Sequence, residues 1–282
     1  MLGAKSKASN FGRGDRPWIE LTAYQIRFTS EVPKIVLGPV IPTHVAYCIG
    51  LLAWTLGGRE DLGTLAYYRE AARDFSDDGL TMCGAFGRRL RGATLQVDQL
   101  EHIVERLRVD PSSRRTFAAI IDAADNINER IEYPCAAGIQ LFVRNGALSF
   151  LTVMRAQQAL TVLPYDVFLF STIQHFLASE LSLDVGEYVH FSGTYHIYSN
   201  EVEKAKQTID KGVQTLALPP LPRGRGYAVR DELIQIEAEI REAAEAGDSD
   251  RLKSIATSSC EFEFNTVAKG ILLEHAHARP GR

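Results

Sequence analysis

Several common signatures are missing from this chain, and each absence narrows what it does. Four cysteines in 282 residues, Cys48, Cys83, Cys135 and Cys260, fall at wide and irregular intervals. That pattern gives neither a paired-cysteine metal motif nor the framework of a disulfide-stapled secreted domain; reduced thiols and a cytoplasmic location are expected. The apolar segment 45–56 is far short of the roughly 20 residues that cross a bilayer, and no apolar signal-peptide core stands at the N-terminus. Neither sign of charge dominates: 31 Lys and Arg against 35 Asp and Glu leave a formal net charge of -4. The chain therefore has no global attraction for DNA or an anionic membrane, and any anion site must be local. Internal repeats are absent too.

What is present suffices for one large core. With 45% hydrophobic and 23% charged residues, residues 1–282 are expected to form a single domain ending in a charged helical region from about 227. Partial alternation predicts a strand over 18–28. A buried helix follows at 43–55, and helical patterns recur over 62–73 and 97–109, the latter ending before Asp110-Pro111. Strands are predicted at 116–122 and 138–144, with Asn145-Gly146 as a hairpin turn into 148–155. An apolar helix at 167–181, a strand at 188–192 and a helix at 201–211 come next. Pro219-Pro220 and the Pro222-Arg223-Gly224-Arg225-Gly226 segment break the pattern before helices at 231–246 and from 248 onward.

Cys135 carries the chemistry. It follows Pro134, where a restricted X-Pro step leads into the apolar run 138–143, and so stands at the mouth of a strand. Alone it reads as a buried structural thiol. It becomes a nucleophile if cations lower its pKa, and Arg155 and the pair Arg114-Arg115 are candidates. Read alone, that pair is a solvated turn after Asp110-Pro111. His196 and Tyr198, two apart on an extended segment, point to one face, whereas His175 and His190 read as ordinary structural histidines. Gln140 and Asn200 are either orienting groups or ordinary buried hydrogen bonds. Asp166 stands where it would cap the helix predicted from 167.

Taken together, residues 112–204 resemble the thymidylate synthase family, which includes the pyrimidine nucleotide hydroxymethylases. The resemblance rests on Ser112-Ser113-Arg114-Arg115, Pro134-Cys135, Gln140, the hairpin 145–149, Arg155, Leu163-Pro164-Tyr165-Asp166 and Gly193-Thr194-Tyr195-His196-Ile197-Tyr198-Ser199-Asn200. Weaker matches cover 25–28 and 84–88, and the last seventy or so residues show none. It implies an α/β fold, α+β in stricter usage: a bent mixed sheet with surrounding helices, packed sheet to sheet in a homodimer. It also implies that Cys135 adds to C6 of a pyrimidine so that C5 can attack a one-carbon unit from 5,10-methylenetetrahydrofolate. Arg155, with Arg13 or Arg16 of the N-terminal arm and Arg114 and Arg115 from a second subunit, would bind the 5'-phosphate through guanidinium forks. His196 and Tyr198 would hold the sugar, Gln140 and Asn200 would orient the base, and Phe75 and Gln158 fall on the cofactor side.

Asp166 stands where the cytidylate hydroxymethylases carry an aspartate and the uracil enzymes an asparagine. A carboxylate accepts from the C4 amine of cytosine, and from N3 once that nitrogen is protonated. Other departures set the product. Ala156 replaces a serine that touches phosphate and opens space near the sugar, which favours CMP over dCMP. Gln158 replaces a folate-binding aspartate, and Val162 a glycine. Residues 50–54 lack the glutamate that organises water and protons, for which Asp77 or Asp78 are candidate substitutes. Ala136 replaces a histidine, and 278–282 form no hydrophobic closing tail. Water attack, giving a 5-hydroxymethyl nucleotide, fits better than hydride transfer in a closed site. Enzymes of this type serve phage DNA modification and nucleoside-antibiotic synthesis. The competing readings are a uracil-nucleotide C5 methylase or hydroxymethylase and a silent nucleotide- or RNA-binding homologue. The Arg223-Gly226 segment is too short for an RNA module.

Overall fold

A computed structural model of the chain describes residues 9–13, 16–92, 97–127 and 129–279, with side chains from Arg16 onward. The strands are β1 (Ser9–Arg13), β2 (Arg16–Phe28), β3 (Lys34–Leu37), β4 (Phe117–Ala119), β5 (Ala136–Arg144), β6 (Ala147–Gln158), β7 (Asp184–Tyr198) and β8 (Gln214–Ala217). The helices are α1 (Val45–Leu56), α2 (Leu62–Tyr68), α3 (Phe86–Leu90), α4 (Gln99–Val109), α5 (Leu163–Glu180), α6 (Val202–Lys211), α7 (Gly226–Glu245), α8 (Ser249–Thr257) and α9 (Glu263–Ala278). Six strands form one mixed sheet in the order β1-β2-β7-β6-β5-β4, and β3 pairs with β8 in a separate ribbon.

The sheet follows from local signals joined by one crossover. Asn145 and Gly146 both adopt positive φ, 52° and 77°, as a two-residue type I′ turn requires, so β5 and β6 close into the predicted hairpin. β6 and β7 run parallel, and parallel neighbours need a long connection. That connection is α5, with a proline in its first turn, where the missing N–H leaves no intrahelical bond unmade. Phe168, Phe170, Ile173, Phe176 and Leu177 of α5 are buried with Leu148 and Phe150 of β6 on one side and Ile49 and Leu52 of α1 on the other. Each such side chain contributes about 1.5–3 kcal/mol of burial.

The structure departs from sequence expectation at several elements, among them β3, β8 and α3, which were not expected, and α7, which begins at Gly226 and not at 231. The helix expected over 62–73 stops at Tyr68 and becomes a 3-10 turn, Glu70–Phe75. The strand expected over 188–192 extends in both directions to become β7, and the one expected over 116–122 shrinks to β4 because Asp122 caps a 3-10 turn. α5 begins at Leu163 with Val162 as its cap residue, so Asp166 lies inside the first turn and is no N-cap. The charged C-terminal stretch forms α7, α8 and α9, whose buried Val229, Leu233, Ile240, Phe264 and Leu272 join the same cluster as Ile49 and Phe176.

Contact between α7 and α5 is close enough to require glycine. A Cβ on Gly226 would stand 2.1 Å from the Phe176 carbonyl oxygen and 2.8 Å from the Glu180 nitrogen, both backbone atoms that cannot rotate away. Gly226→Ala should therefore destabilise the protein by about 2 kcal/mol or more. Gly63→Ala, where an added Cβ meets nothing within 4 Å, should be neutral or stabilising by up to about 1 kcal/mol. Urea unfolding of the two variants checks this; equal midpoints would refute the close-packing argument.

Candidate active site

The C-terminal ends of β6 and β7 open on one edge of the sheet because the strands are parallel. Their register sets Ala156 beside Thr194, Gln157 beside Tyr195 and Gln158 beside His196. β2 adds Trp18 beside Tyr198 and Glu20 beside His196. Alternation along these strands turns Ala156, Thr194, His196 and Tyr198 to one face. There, with Trp18, Glu20, Arg16 and Arg155, they line a cavity of about 440 Å³. The His196 and Tyr198 rings meet edge to face at 5.4 Å, and the Arg16 guanidinium lies 5.1 Å from the Tyr198 ring centre. Burial lowers the pKa of His196 against the opposing fields of Glu20 and Glu201.

Cys135 sits at the same edge, one residue before β5. The Arg155 N–H donates to the Cys135 carbonyl at 2.8 Å, so the thiol and the guanidinium start from paired positions. Arg155 Nε donates to the Pro134 carbonyl at 2.9 Å, Nη2 donates to that of Tyr133 at 3.1 Å, and Nη2 lies 3.9 Å from Cys135 Sγ. The guanidinium also covers the Tyr133 ring at 4.6 Å. Burial raises the pKa of the half-buried thiol; Arg155 pulls it down, while the carboxyls of Asp166 and Glu132 push it up. Without a ligand the thiol therefore keeps its proton at neutral pH.

A smaller cavity of about 190 Å³ opens at the start of α5, walled in part by Tyr47, Leu51, Trp54, Arg69, Glu132 and Asp166. Asp166 is 7% exposed and accepts from Gln157 Nε2 at 2.9 Å. The contact continues inward: Gln157 Oε1 meets His190 Nε2 at 2.8 Å, His190 Nδ1 meets the Tyr188 hydroxyl at 2.9 Å, and that hydroxyl meets Thr152 Oγ1 at 3.1 Å. Burial lowers His190 to about 4, keeping it neutral, and pushes Asp166 up to about 7 although Gln157 opposes the shift. Of this relay only Asp166 had been assigned a functional role from sequence. The available signal was polar residues at inward positions of otherwise apolar strands.

The remaining expected site residues fall away from these cavities or serve the backbone. Arg13 ends β1, and its side chain lies outside the described residues. Arg114 and Arg115 are exposed ahead of β4, and neither lines the two cavities. Gln140 donates to the Arg114 carbonyl at 3.2 Å, holding that segment. Asn200 is exposed in the 3-10 turn Ser199–Glu201. Gln158 Oε1 accepts the N–H groups of Leu160, Thr161 and Val162, while its Nε2 donates to Glu201 at 2.6 Å, so it caps the loop into α5. Phe75 is 55% exposed. Asp77 accepts from the Ile131 N–H at 2.7 Å, and Asp78 accepts from the Leu80 and Thr81 N–H groups at 2.8 and 2.7 Å. Both carboxyls thus organise loops.

Comparison with known proteins adds to this geometry. The model of the family described as thymidylate synthase matches residues 4–225, ending at the residue before α7. Two thymidylate synthases, from Listeria monocytogenes serovar 1/2a and Listeria innocua serovar 6a, are each 30% identical to the chain over 125 residues. The matched stretch covers 44% of this chain and 39% of each relative, so the chain spans about two fifths of the length of the curated relatives it matches.

The buried acid generates a pH test. An unfolded aspartate ionises near 3.8, whereas folded Asp166 holds its proton up to about 7. Over that window the folded state binds the extra proton, so Asp166 contributes stability that is lost as pH rises through it, at on the order of 1 kcal/mol per pH unit. His175 and His190, each lowered to about 4 by burial, act in the opposite sense as pH falls, and do so equally in a variant. Asp166→Asn keeps an oxygen for Gln157 but does not titrate. Its melting temperature relative to the native protein should climb between pH 4 and 7 and then level off; a flat difference would refute the titration.

Proposed function

Because the chain belongs to the thymidylate synthase family, we propose that it transfers a one-carbon unit to C5 of a cytosine nucleotide, CMP in preference to dCMP, leaving a 5-hydroxymethyl group. The observation that carries the reading is the Cys135 thiol 3.9 Å from Arg155, which itself lines a cavity with His196 and Tyr198, with Asp166 buried in the first turn of the helix that follows the Arg155 strand. Cys135 sulfur adds to C6, and the C5=C6 electron pair shifts to C5, which bonds to the incoming carbon. The methylenetetrahydrofolate co-substrate supplies that carbon at the oxidation level of formaldehyde. The C5 hydrogen leaves as a proton, and water supplies the hydroxyl. Tetrahydrofolate departs with two added protons, which balance the one lost from C5 and the one left when water supplies the hydroxyl, so nothing is oxidised or reduced. Covalent addition divides one difficult substitution into easier steps.

Base choice rests on Asp166. Cytosine offers a C4 amine that donates and an N3 that accepts until protonated. An acid held near 7 both accepts from the amine and supplies the N3 proton as the adduct forms. Arg155 and Arg16, at one cavity, supply guanidiniums for the phosphate, and His196 and Tyr198 beside Ala156 serve the sugar. On the co-substrate side Trp54 and Tyr47 offer flat walls, and Arg69 offers a cation. Gln158 contributes only through the loop it caps. A homodimer closed through the outer sheet face, where Leu151, Val153, Val189 and Phe191 line a shallow hollow, would let Arg114 and Arg115 serve the neighbouring subunit.

Tritium release from C5 of CMP, dCMP, UMP and dUMP tests the reading. Release should be fastest with CMP, absent in Cys135→Ser, and shifted toward dCMP in Ala156→Ser. Asp166→Asn should lose cytosine activity by about 10²-fold or more, since a site built for one hydrogen-bonding pattern rejects another strongly. Activity confined to uracil nucleotides would sink the base assignment, and release by Cys135→Ser would sink the nucleophile.

A further inference from the structure

Losing a hydrogen from C5 requires a base, and among the described residues the carboxyls that line the cavity at the start of α5 are Asp166 and Glu132. Asp166 already accepts from Gln157, and the proposed function sets it against the N3 and C4 edge of the ring. Glu132 is three residues before the nucleophile, and it lines the cavity at the start of α5 together with Leu51, Trp54 and Asp166.

Its carboxyl is held by design of the surrounding loops. The Gly84 N–H donates to Glu132 Oε2 at 2.8 Å, and a Cβ on Gly84 would stand 3.0 Å from both Cδ and Oε1 of Glu132, so a side chain there would crowd the carboxyl. The Gly84 loop is pinned in turn. Buried Arg89 donates to the Cys83 carbonyl at 2.8 and 3.0 Å and pairs with Asp125 at 2.5 and 2.8 Å. Asp77 accepts from the Ile131 N–H at 2.7 Å and so fixes the approach to Glu132 from the other side. Thr55, buried and with no hydroxyl partner among the described residues, lines the same cavity, which leaves a polar group there for a ligand or a water. Burial raises the pKa of the Glu132 carboxyl from its usual value despite the Gly84 N–H and the Arg89 charge, the direction that suits a proton carrier.

The geometry points to Glu132 as the acid–base group of this site, a role that rests on the proposed C5 chemistry. Its carboxylate receives the C5 hydrogen as a proton, directly or through one water. The C–H electron pair forms the double bond to the new exocyclic carbon, while the bond from that carbon to the tetrahydrofolate nitrogen breaks, its pair stays on nitrogen, and that nitrogen takes up a proton from water. The proton then passes from Glu132 to water, leaving the carboxylate ready for another turnover.

Tritium release from C5 is measured with each of the four nucleotides for the native protein, Cys135→Ser, Glu132→Gln, Glu132→Asp and Gly84→Ala, with CMP affinity taken by calorimetry. Glu132→Gln should release tritium about 10²-fold more slowly or worse, the range acid–base catalysis supplies, with CMP affinity within about threefold of native. Glu132→Asp should fall between the two, and Gly84→Ala, which displaces the carboxyl without removing it, should also slow release. Adding Leu51→Glu to Glu132→Gln returns a carboxylate to the same cavity and should restore part of the rate. If Glu132→Gln and Gly84→Ala both release tritium at the native rate while Cys135→Ser is silent, the role of Glu132 is overturned and the C5 reading stands. If the native protein is silent with all four nucleotides, both are overturned.

Discussion

Parallel pairing of β6 with β7 obliges the chain to leave the end of one strand, cross through α5, and return to the far end of its neighbour. That constraint assembles the site. Both strands finish on the same edge, which delivers Arg155 and Ala156 from β6 and His196 and Tyr198 from β7 to one cavity. The crossover has to begin at that edge, so the first turn of α5 brings Asp166 there as well. The β5–β6 hairpin adds Cys135, because the residue before β5 pairs with the last stretch of β6. Groups far apart in sequence thus meet where ligands commonly bind in sheets with parallel strands, beyond their carboxyl ends.

Legibility in the sequence followed the range of the forces involved. The hairpin at Asn145-Gly146 and helices α1, α4 and α6 were readable because turn residues, prolines and apolar spacing act locally. The β3–β8 ribbon was not, since two four-residue strands nearly two hundred residues apart give no pattern without their partner. The start of α5 was misplaced because apolar Leu163-Pro164-Tyr165 looks like a loop until the tertiary contacts of Tyr165 with Tyr47 and His44 are known. Cys135, Arg155, Asp166 and His196 stand out as candidates through motifs. Glu132 and Gln157 do not, because their significance comes from which cavity or which buried partner they meet.

The thiol sits between opposing fields, and this shapes how the site is used. Arg155 favours the thiolate; burial and two carboxyls oppose it, and the opposition wins in the free protein. In the proposed reaction, a thiol that stays protonated until a nucleotide arrives would be shielded from adventitious oxidation, since reactivity tracks the thiolate. The proposed addition to C6 also needs a destination for the thiol proton, a role that a carboxyl of raised pKa such as Asp166 or Glu132 would suit.

Direction in the buried relay bears on base choice. His190 is neutral, and its Nδ1 faces the Tyr188 hydroxyl while its Nε2 faces Gln157 Oε1. An amide oxygen can only accept, so Nε2 carries the hydrogen and Nδ1 accepts from Tyr188, whose oxygen is then left to accept from Thr152. Gln157 Nε2 in turn donates to Asp166 Oδ2. Every donor in the chain points toward the carboxyl, and aligned hydrogen bonds polarise one another in a low-dielectric interior. Oδ2 is thereby fixed as an acceptor, and any proton Asp166 holds resides on Oδ1. A carboxyl free to place its proton on either oxygen would match cytosine and uracil equally well. One whose two oxygens are made unequal by Gln157 presents a single donor–acceptor order, so in the proposed reaction discrimination between bases would be built by β6 and β7 behind Asp166 as much as by Asp166 itself.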